Sequence, residues 1–443
     1  MDDTRTLISQ LLKNLGSQRE VEQYLKQYSS VESTKFAVIK VGGGIIRDHL
    51  DDLVSSLSFL SRVGLYPILI HGAGEQLSDA LREAGHQPTF VDGLRVTDAE
   101  TLRMARKVFT RVNHQICGAL EKEGTGARPI PTGVFEAELT NDSRLGFVGE
   151  VVDVDLEPIR EAIRVGDIPV LSSLAETSTG QLLNINADTA TRHLAHDIEP
   201  HKIIFLTPTA GLLDAQGQVL SAVNLAEDYD TLMTASWVSG GMRLKIQEVK
   251  ALLDGLPLST SVAITAPSEL PKELFTYRGS GTLIRRGEKV LVFENGLDGV
   301  DIPRLTKLLE SSFGRALVEG YFEQKRFTRI YVTESYRATA ILTDEGPIPY
   351  LDKFAVTAAA QGEGLAASLW DRLRRDTPKL FWRSRVDNHQ INPWYFTKSE
   401  GSLRDPKWVV FWYGLSGFDE IQDCIKRAFE MPPTLRSHAI AEV

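Results

Sequence analysis

The most constraining feature of this chain is a regular alternation of short, β-branched runs with stretches of helical periodicity. Between Lys35 and Thr265 the runs are FAVIKV, YPILIHG, IPVLSSL, KIIFLT and VAIT. Apolar runs this short, separated by helical patterns, are typical of a largely parallel sheet that is covered by helices. The sequence therefore predicts a three-layer α/β sandwich, whose last strand is expected in GSGTLIRRG from Gly279.

The remainder of the chain requires a second domain, because 443 residues are too many for one hydrophobic core. Five of the six tryptophans fall between Trp370 and Trp412, in a part that again mixes strands with helices. We predict a helical arm over 1–30, an α/β domain over 31–288, a linker over 289–299 and a second α/β domain over 300–443. The apolar stripe of the arm packs either on its own domain or on another subunit.

Composition excludes several classes of partner. A net charge of −10 argues against nucleic-acid binding, and no apolar run approaches the length of a membrane span. Cys117 and Cys424 are the only cysteines, and the N-terminus has no secretory apolar core. We therefore expect a reducing cytoplasm as the compartment.

Three glycine-rich segments point to an anion. Lys40 ends a buried strand and is followed by Gly42, Gly43 and Gly44, and Lys245 follows Gly240 and Gly241. A further turn, Gly72-Ala73-Gly74, follows the second strand. Glycines let backbone N–H groups approach an anion closely, and two ammonium groups suit a phosphoryl group in transfer. Alone, each segment is also compatible with a strand that ends in a tight turn.

Polar residues near these turns suggest how a substrate is held. Arg95 lies in the loop VDGLRVTD and suits a bidentate grip on a carboxylate. Asn184 and Asp188 lie where a loop enters a helix; Asp188 is either the N-cap or the group that holds the two lysines.

The histidines are not expected to take part in the chemistry. We interpret His71 as structural. His193, His196 and His201 lack the spacing of a metal site, and none is expected there.

These segments, in this order, resemble the amino acid kinase family and, within it, the N-acetylglutamate kinases. The resemblance implies that Lys40 and Lys245 neutralise the moving phosphoryl group, that Asp188 organises them, and that the Gly43 and Gly74 amides stabilise the transition state. It implies that Arg95 and Asn184 bind N-acetyl-L-glutamate, with Gly72 and Ala73 beside it. ATP, carrying Mg²⁺, would lie over the segments from Thr207 to Asp214 and from Gly240 to Lys245, near Gly42 and Gly44.

A second set of motifs occurs near the C-terminus. Strand alternation in LFWRSRV places Arg383 and Arg385 on one face, where two guanidinium groups would repel unless they shared an anion. Lys353 lies upstream in YLDKFAV. Gly362 and Gly364 form a loop that opens into a helix, which suits a pyrophosphate, although this segment alone is also an ordinary glycine turn.

This half resembles the N-acetylglutamate synthase branch of the GNAT acetyltransferases, through YLDKFAV, QGEG, LFWRSR, NPWYF and FWYG. The resemblance implies that Lys353, Arg383 and Arg385 bind L-glutamate and that Asn388 orients the substrate. Tyr395, expected on an irregular segment after a proline, would protonate the leaving thiolate; otherwise it is an aromatic core residue. The implied acetyl-CoA site comprises Gln361, Gly362, Glu363, Gly364, Asn392 and Tyr395.

Together the resemblances imply an enzyme of arginine biosynthesis that acetylates L-glutamate and phosphorylates the product. Glu273 and Gly279, in KELFTYRGSGT, match the family's positions for L-arginine, which implies feedback inhibition and a homo-oligomer, with a tetramer favoured. Three alternatives stay open: a synthase with a degenerate kinase half, a first domain that only senses arginine, and a protein acetyltransferase fused to a kinase-like domain.

Overall fold

The computed structural model describes residues 33–209, 211–238, 240–275, 280–360 and 364–439. The arm predicted over 1–30 lies outside the described residues, as do Gly279 and residues 361–363. The chain divides into two compact units. The first runs to Val223 and resumes from Asp230 to Arg286, and the second comprises Asn224–Tyr229 and the residues from Gly287 onward.

The first unit alternates strands and helices along most of its length. Its strands are β1 (Ala37–Val41), β2 (Ile68–His71), β3 (Phe90–Val91), β4 (Leu94–Arg95), β5 (Ala127–Ile130), β6 (Phe135–Leu139), β7 (Gly149–Val154), β8 (Ile168–Ser172), β9 (Leu174–Glu176), β10 (Leu182–Asn184), β11 (Lys202–Leu206), β12 (Ala222–Asn224), β13 (Ser261–Thr265) and β14 (Thr282–Arg285). Its helices are α1 (Gly43–Asp48), α2 (Leu50–Arg62), α3 (Gly74–Glu83), α4 (Ala99–Lys122), α5 (Glu157–Arg164), α6 (Ala187–Ile198), α7 (Leu225–Thr234), α8 (Gly240–Asp254) and α9 (Leu270–Phe275). The first residues of α7 belong to the second unit.

The main sheet of this unit has the order β12-β14-β13-β11-β1-β2-β8-β5. The pairs from β13 to β5 are parallel, and β14 pairs antiparallel with β13. All five predicted apolar runs lie in this parallel part, and β14 falls in the segment predicted for the last strand. The prediction of a largely parallel α/β sandwich is therefore confirmed.

Helices cover both faces of the sheet. Successive side chains of a strand point to opposite faces, so the buried strand residues form one hydrophobic core on each face. Ile39 and Leu69 pack with apolar residues of α2, α4 and α9. Val38 and Ile70 pack on the other side with α5 and α6. β1 lies between β11 and β2 in the middle of the sheet, so its carboxyl end brings Lys40 to the centre of one sheet edge.

A smaller sheet of order β10-β9-β6-β7 adjoins the second core. The sequence pattern gives no indication of this sheet. Its strands are short or, like β6 and β7, alternate buried residues with exposed charged ones, so they carry no continuous apolar signal.

The second unit contains a seven-stranded mixed sheet with helices on both faces, and a separate two-stranded antiparallel sheet formed by its second and last strands. Its strands are β15 (Val290–Phe293), β16 (Arg315–Leu317), β17 (Phe327–Thr333), β18 (Ala338–Thr343), β19 (Tyr350–Val356), β20 (Leu380–Arg385), β21 (Gly401–Arg404), β22 (Trp408–Tyr413) and β23 (Leu435–Ala439). Its helices are α10 (Ile302–Phe313), α11 (Tyr321–Gln324), α12 (Leu365–Asp376), α13 (Asn392–Lys398) and α14 (Phe418–Glu430). The sheet order is β15-β17-β18-β19-β20-β22-β21, and only β19 and β20 pair in parallel.

Part of the segment predicted as a linker, 289–299, is a strand instead. Val290–Phe293 pair antiparallel with β17, and Val290 is buried. The turn residues that suggested a linker begin only after this strand. Among the described residues, no helix has the length and hydropathy that crossing a membrane would require.

Candidate active sites

The first site is centred on the lysine at the end of β1. Lys40 Nζ lies 2.8 Å from Asp188 Oδ1. Asp188 is in the first turn of α6, and Asn186 caps that helix by accepting hydrogen bonds from the backbone N–H groups of Asp188 and Thr189. The cap is thus Asn186, and the Asp188 carboxylate is left to pair with Lys40.

Lys245 joins this pair from α8. It lies on the second turn of that helix, whose first residues are Gly240 and Gly241, and not on a glycine turn as its sequence context suggested. Burial lowers the pKa of Lys245 and Lys40 lowers it further, while Asp188 and Glu248 oppose the shift. The charges of Lys40 and Asp188 both act on Lys245, which indicates that the three residues lie near one another.

Two cavities lie beside these charges. One of about 350 Å³ is lined by Lys40, Gly42, Gly43, Gly72, Gly74, Glu75, Ser78, Phe90, Arg95 and Ala187. A second, of about 200 Å³, shares Gly72, Gly74 and Arg95 with the first and is also lined by Ala73, Asn184 and Asp188. The residues predicted for the substrate therefore surround connected space next to Lys40.

Arg95 is held in place by several groups. Its Nη2 donates to Gly74 O and to Ser78 Oγ, each at 2.8 Å, and its guanidinium lies 4.7 Å from the centre of the Phe90 ring. Its Nη1 is buried and has no hydrogen-bond partner among the described residues. One nitrogen thus remains for an acceptor that enters the cavity. Asn184 Nδ2 donates to Thr97 Oγ1 at 3.1 Å.

The segments expected to bind nucleotide lie around the same sheet edge. Thr207 follows β11, the neighbour of β1, and its N–H donates to Thr265 O. Gly42 is the N-cap of α1, which includes Gly43 and Gly44. Their role in binding nucleotide stays a prediction.

His71 is buried behind the second glycine turn. Asn113 Nδ2 donates to its Nε2 at 3.1 Å and also to Val170 O at 2.8 Å. Burial lowers the pKa of His71 to about 4. The histidine is therefore neutral and linked to β8 through Asn113, a partner that sequence spacing did not reveal.

Glu273 of α9, predicted to bind arginine, is 2% exposed. Its Oε2 accepts hydrogen bonds from the N–H groups of Ser280 and Gly281, at 2.9 and 3.3 Å. Its Oε1 is buried without a hydrogen-bond partner among the described residues.

In the second unit, β19 and β20 separate from each other. Their register contains one pair, Tyr350↔Phe381, so the parallel strands diverge towards their carboxyl ends. Gly364, with φ +84°, is the N-cap of α12; the residues predicted with it, Gln361, Gly362 and Glu363, lie outside the described residues.

Lys353 reaches its position through a β-bulge. Between β18 and β19, Ile341 pairs with Lys353 and Leu342 with Leu351, so Asp352 is the extra residue. Lys353 Nζ lies 2.5 Å from both Asp352 Oδ2 and Thr434 Oγ1, and its side chain is 3% exposed. The predicted substrate lysine is thus already paired with a carboxylate from its own strand.

The two arginines of β20 form hydrogen bonds with different groups of the protein. Arg383 donates to the backbone carbonyls of Ala428 and Met431 at 2.6 and 2.7 Å, and it lies over the Trp408 ring. Arg385 binds both carboxylate oxygens of Asp387, each at 3.0 Å. The two guanidinium groups therefore do not need a shared anion, because each has hydrogen-bond partners within the protein. Their role in binding glutamate stays a prediction.

Tyr395 lies on a helix, not on the irregular segment that was expected. Pro393 occupies the first turn of α13, where its missing N–H costs nothing. Tyr395 is 6% exposed among aromatic rings that include Trp382 and Phe411, and burial raises the pKa of its hydroxyl. Nearby, Asn392 Nδ2 donates to Arg385 O at 2.7 Å, while its Oδ1 has no hydrogen-bond partner within the described ranges. Asn388 N–H also donates to Arg385 O.

Comparison with known proteins defines the class. Residues 35–261 match the model of the amino acid kinase family, and residues 292–430 match that of the N-acetyltransferase of N-acetylglutamate synthase. The chain belongs to the amino acid kinase family and carries an N-acetyltransferase domain of the N-acetylglutamate synthase type.

Individual relatives cover nearly the whole chain. It is 51% identical to the acetylglutamate kinase of Xanthomonas campestris, over 95% of this chain and 100% of that one. It is 43% identical to mitochondrial protein arg-6 of Neurospora crassa, over 96% of this chain but 49% of that protein. It is 33% identical to the mitochondrial N-acetylglutamate synthase of Homo sapiens, over 96% of this chain and 78% of that protein.

A solved structure shares the fold. The N-acetylglutamate synthase from Neisseria gonorrhoeae, complexed with coenzyme A and N-acetyl-glutamate, aligns with a TM-score of 0.66 at 21% identity. The alignment covers 89% of this chain and 98% of that one.

Proposed function

We propose that this chain is a bifunctional enzyme of arginine biosynthesis. Its second unit transfers the acetyl group of acetyl-CoA to L-glutamate, and its first unit phosphorylates N-acetyl-L-glutamate with ATP. The observation that carries the kinase half is the Lys40–Asp188 pair at 2.8 Å, joined by Lys245 beside the glycine turns. A kinase half without activity would not need this grouping of two lysines and one aspartate.

The kinase step requires positioning and charge, not a general base. The side-chain carboxylate of N-acetylglutamate is ionised at neutral pH, with an ordinary pKa of about 4.3. One of its oxygens attacks the γ-phosphorus of ATP, the bond to the β-phosphate oxygen breaks, and ADP leaves. Lys40 and Lys245 face the charge that spreads over the peripheral oxygens, and Asp188 keeps Lys40 in place. Mg²⁺ would enter with ATP and neutralise phosphate charge.

The acetyl transfer step needs a free amine and a stabilised leaving group. The amine nitrogen of glutamate attacks the thioester carbonyl carbon and the carbon–sulfur bond breaks. The nitrogen loses one proton as it becomes an amide, and the departing coenzyme A thiolate takes up one. Burial raises the pKa of the Tyr395 hydroxyl, so the group is protonated at neutral pH and can donate a hydrogen bond to the departing sulfur. Arg383 and Lys353 supply positive charge for the substrate carboxylates.

We also propose that L-arginine inhibits the enzyme through a site that includes Glu273. The support is a buried carboxylate whose Oε1 has no hydrogen-bond partner among the residues that the structure describes. A guanidinium group would satisfy that oxygen. Inhibition curves for wild type and Glu273→Gln test the proposal; equal sensitivity in the two would contradict it.

A homo-oligomer is the assembly that we propose, with a tetramer favoured, and the cytoplasm is the proposed compartment because both cysteines are buried and free. Light scattering of the purified protein measures the assembly.

The catalytic proposal is tested by two assays on the same protein. One measures release of coenzyme A with acetyl-CoA and glutamate, and the other measures release of ADP with ATP, Mg²⁺ and N-acetylglutamate. Absence of the second activity, with the first intact, would reduce the first unit to a regulator.

A further inference from the structure

We propose that Gln76 is a positioning residue for phosphoryl transfer, a role that rests on the proposed kinase function. Gln76 is the third residue of α3, the helix that begins at Gly74. Its Nε2 donates a hydrogen bond to Gly43 O at 2.8 Å. One side chain thus connects the helix after the second glycine turn to the glycine turn after β1.

The connected turns bound the catalytic space. Gly43 and Gly74 both line the cavity of about 350 Å³ that also contains Lys40. A second link, from Gly72 N–H to Val41 O at 2.9 Å, joins the same two turns through the backbone. Gln76 lies behind the turns and does not line the cavity itself, so it acts through Gly43.

Holding the Gly43 carbonyl restricts a residue whose own N–H is one of the two predicted catalytic donors. The Gly43 carbonyl turns whenever the backbone rotates at this glycine, where no Cβ limits the rotation. The hydrogen bond from Gln76 to that carbonyl therefore limits the backbone motion that would misdirect the Gly43 N–H. Donors of this kind stabilise a transition state only when they are aimed in advance.

The packing around Gln76 indicates that its amide serves as a hydrogen-bond donor and not only as a filler of space. An ideal Cβ on Gly43 would lie 2.3 Å from Gln76 Oε1, so the carboxamide occupies the space that glycine leaves. That Oε1 is buried without a hydrogen-bond partner in the part of the chain that the structure describes, which disfavours burial of the amide. An apolar side chain of equal length would fill the space without this cost. What the amide adds is the Nε2 donor to Gly43.

The test compares Gln76→Met, which keeps the length but removes the donor, with Gln115→Met on an exposed position of α4 as the matched control. We expect Gln76→Met to lower kcat for ADP release by about 10- to 100-fold, while KM for ATP and N-acetylglutamate changes by less than about 3-fold. Acetyl transfer and the melting temperature of Gln76→Met should stay at wild-type values, which excludes misfolding as the cause.

A kcat within about 2-fold of wild type, or a fall in kcat that follows loss of folded protein, would overturn the inference. The proposed function fails separately, if wild-type protein itself releases no ADP. A second variant strengthens the test. Gly43→Ala should displace the carboxamide, so Gly43→Ala and Gln76→Met together should be no worse than Gly43→Ala alone. Losses that multiply would show that the two residues act independently and would contradict the coupling.

Discussion

The charges at the end of β1 make one residue-level prediction about pH. Because burial and Lys40 lower the pKa of Lys245, its ammonium loses its proton at a lower pH than an ordinary lysine. Neutral Lys245 cannot stabilise the transferring phosphoryl group, so kcat/KM of the kinase should fall as pH rises towards the ordinary lysine range. In Lys245→Arg the fall should move to higher pH. An identical alkaline profile in both proteins would contradict the assignment.

His71 makes a second prediction at this scale, on stability. Its pKa of about 4 in the folded protein lies below the ordinary value of about 6.5, so the unfolded chain takes up the proton first as pH falls. Stability from neutral His71 is therefore complete above about pH 6.5 and is lost progressively down to pH 4, by about 2 kcal/mol at pH 5. Urea unfolding at pH 7.5 and 5 measures this loss.

The matched comparison for that experiment is His114, an exposed residue of α4. His71→Gln should remove most of the extra acid sensitivity, whereas His114→Gln should keep it. Equal pH dependence in wild type and His71→Gln would show that other groups dominate.

Individual contacts divide into those that the sequence could predict and those that it could not. The convergence of Lys40, Asp188 and Lys245 follows from motifs at strand and helix ends. The partners of Arg383 do not, because they are backbone carbonyls of Ala428 and Met431, some 45 and 48 positions along the chain. Backbone acceptors leave no signature in side-chain type, so spacing alone suggested a shared anion.

At the scale of elements, buried parallel strands were the most predictable feature. Strands such as β11 and β13 are buried along their whole length and read as continuous apolar runs. Tyr395 was expected on an irregular segment, because Pro393 was interpreted as a breaker and not as the first-turn residue of α13. The bulge at Asp352 was also invisible, since an extra residue in a strand leaves its composition unchanged.

That bulge carries the prediction at the scale of elements. Asp352 binds Lys353 and also Lys325, whose Nζ lies 2.6 Å from Asp352 Oδ1. Burial would raise the pKa of Asp352, but the two ammonium groups lower it to about 2. Asp352→Asn would remove the carboxylate from the buried Lys353 and leave Lys325 with only the longer contact of 3.6 Å to Glu345. We therefore expect a loss of about 3–5 kcal/mol in the unfolding free energy of the second unit.

Tryptophan fluorescence reports on this unfolding, because five of the six tryptophans lie between residues 370 and 412. The control is Asp419→Asn, an exposed position in the first turn of α14, which should change stability by less than about 0.5 kcal/mol. A similar small change in Asp352→Asn would show that the buried lysines find other partners.

At the scale of the whole molecule, we predict that the kinase and acetyltransferase activities can be abolished separately by substitutions in different units. Lys40→Met should abolish most ADP release and leave acetyl transfer intact, because Lys40 lies in the first unit and the acetyl transfer residues lie in the second. Arg383→Met should do the reverse. Loss of both activities in either variant, with the protein still folded, would mean that the two chemistries depend on each other.

Whether one chain both acetylates L-glutamate and phosphorylates the product can be tested by a trapping experiment. Purified protein would receive ATP, Mg²⁺, L-glutamate and acetyl-CoA labelled in the acetyl group, with hydroxylamine to capture an acyl phosphate. We predict labelled N-acetylglutamyl hydroxamate from wild type, and from Lys40→Met only labelled N-acetylglutamate. Accumulation of labelled N-acetylglutamate without hydroxamate in the wild type would contradict the account.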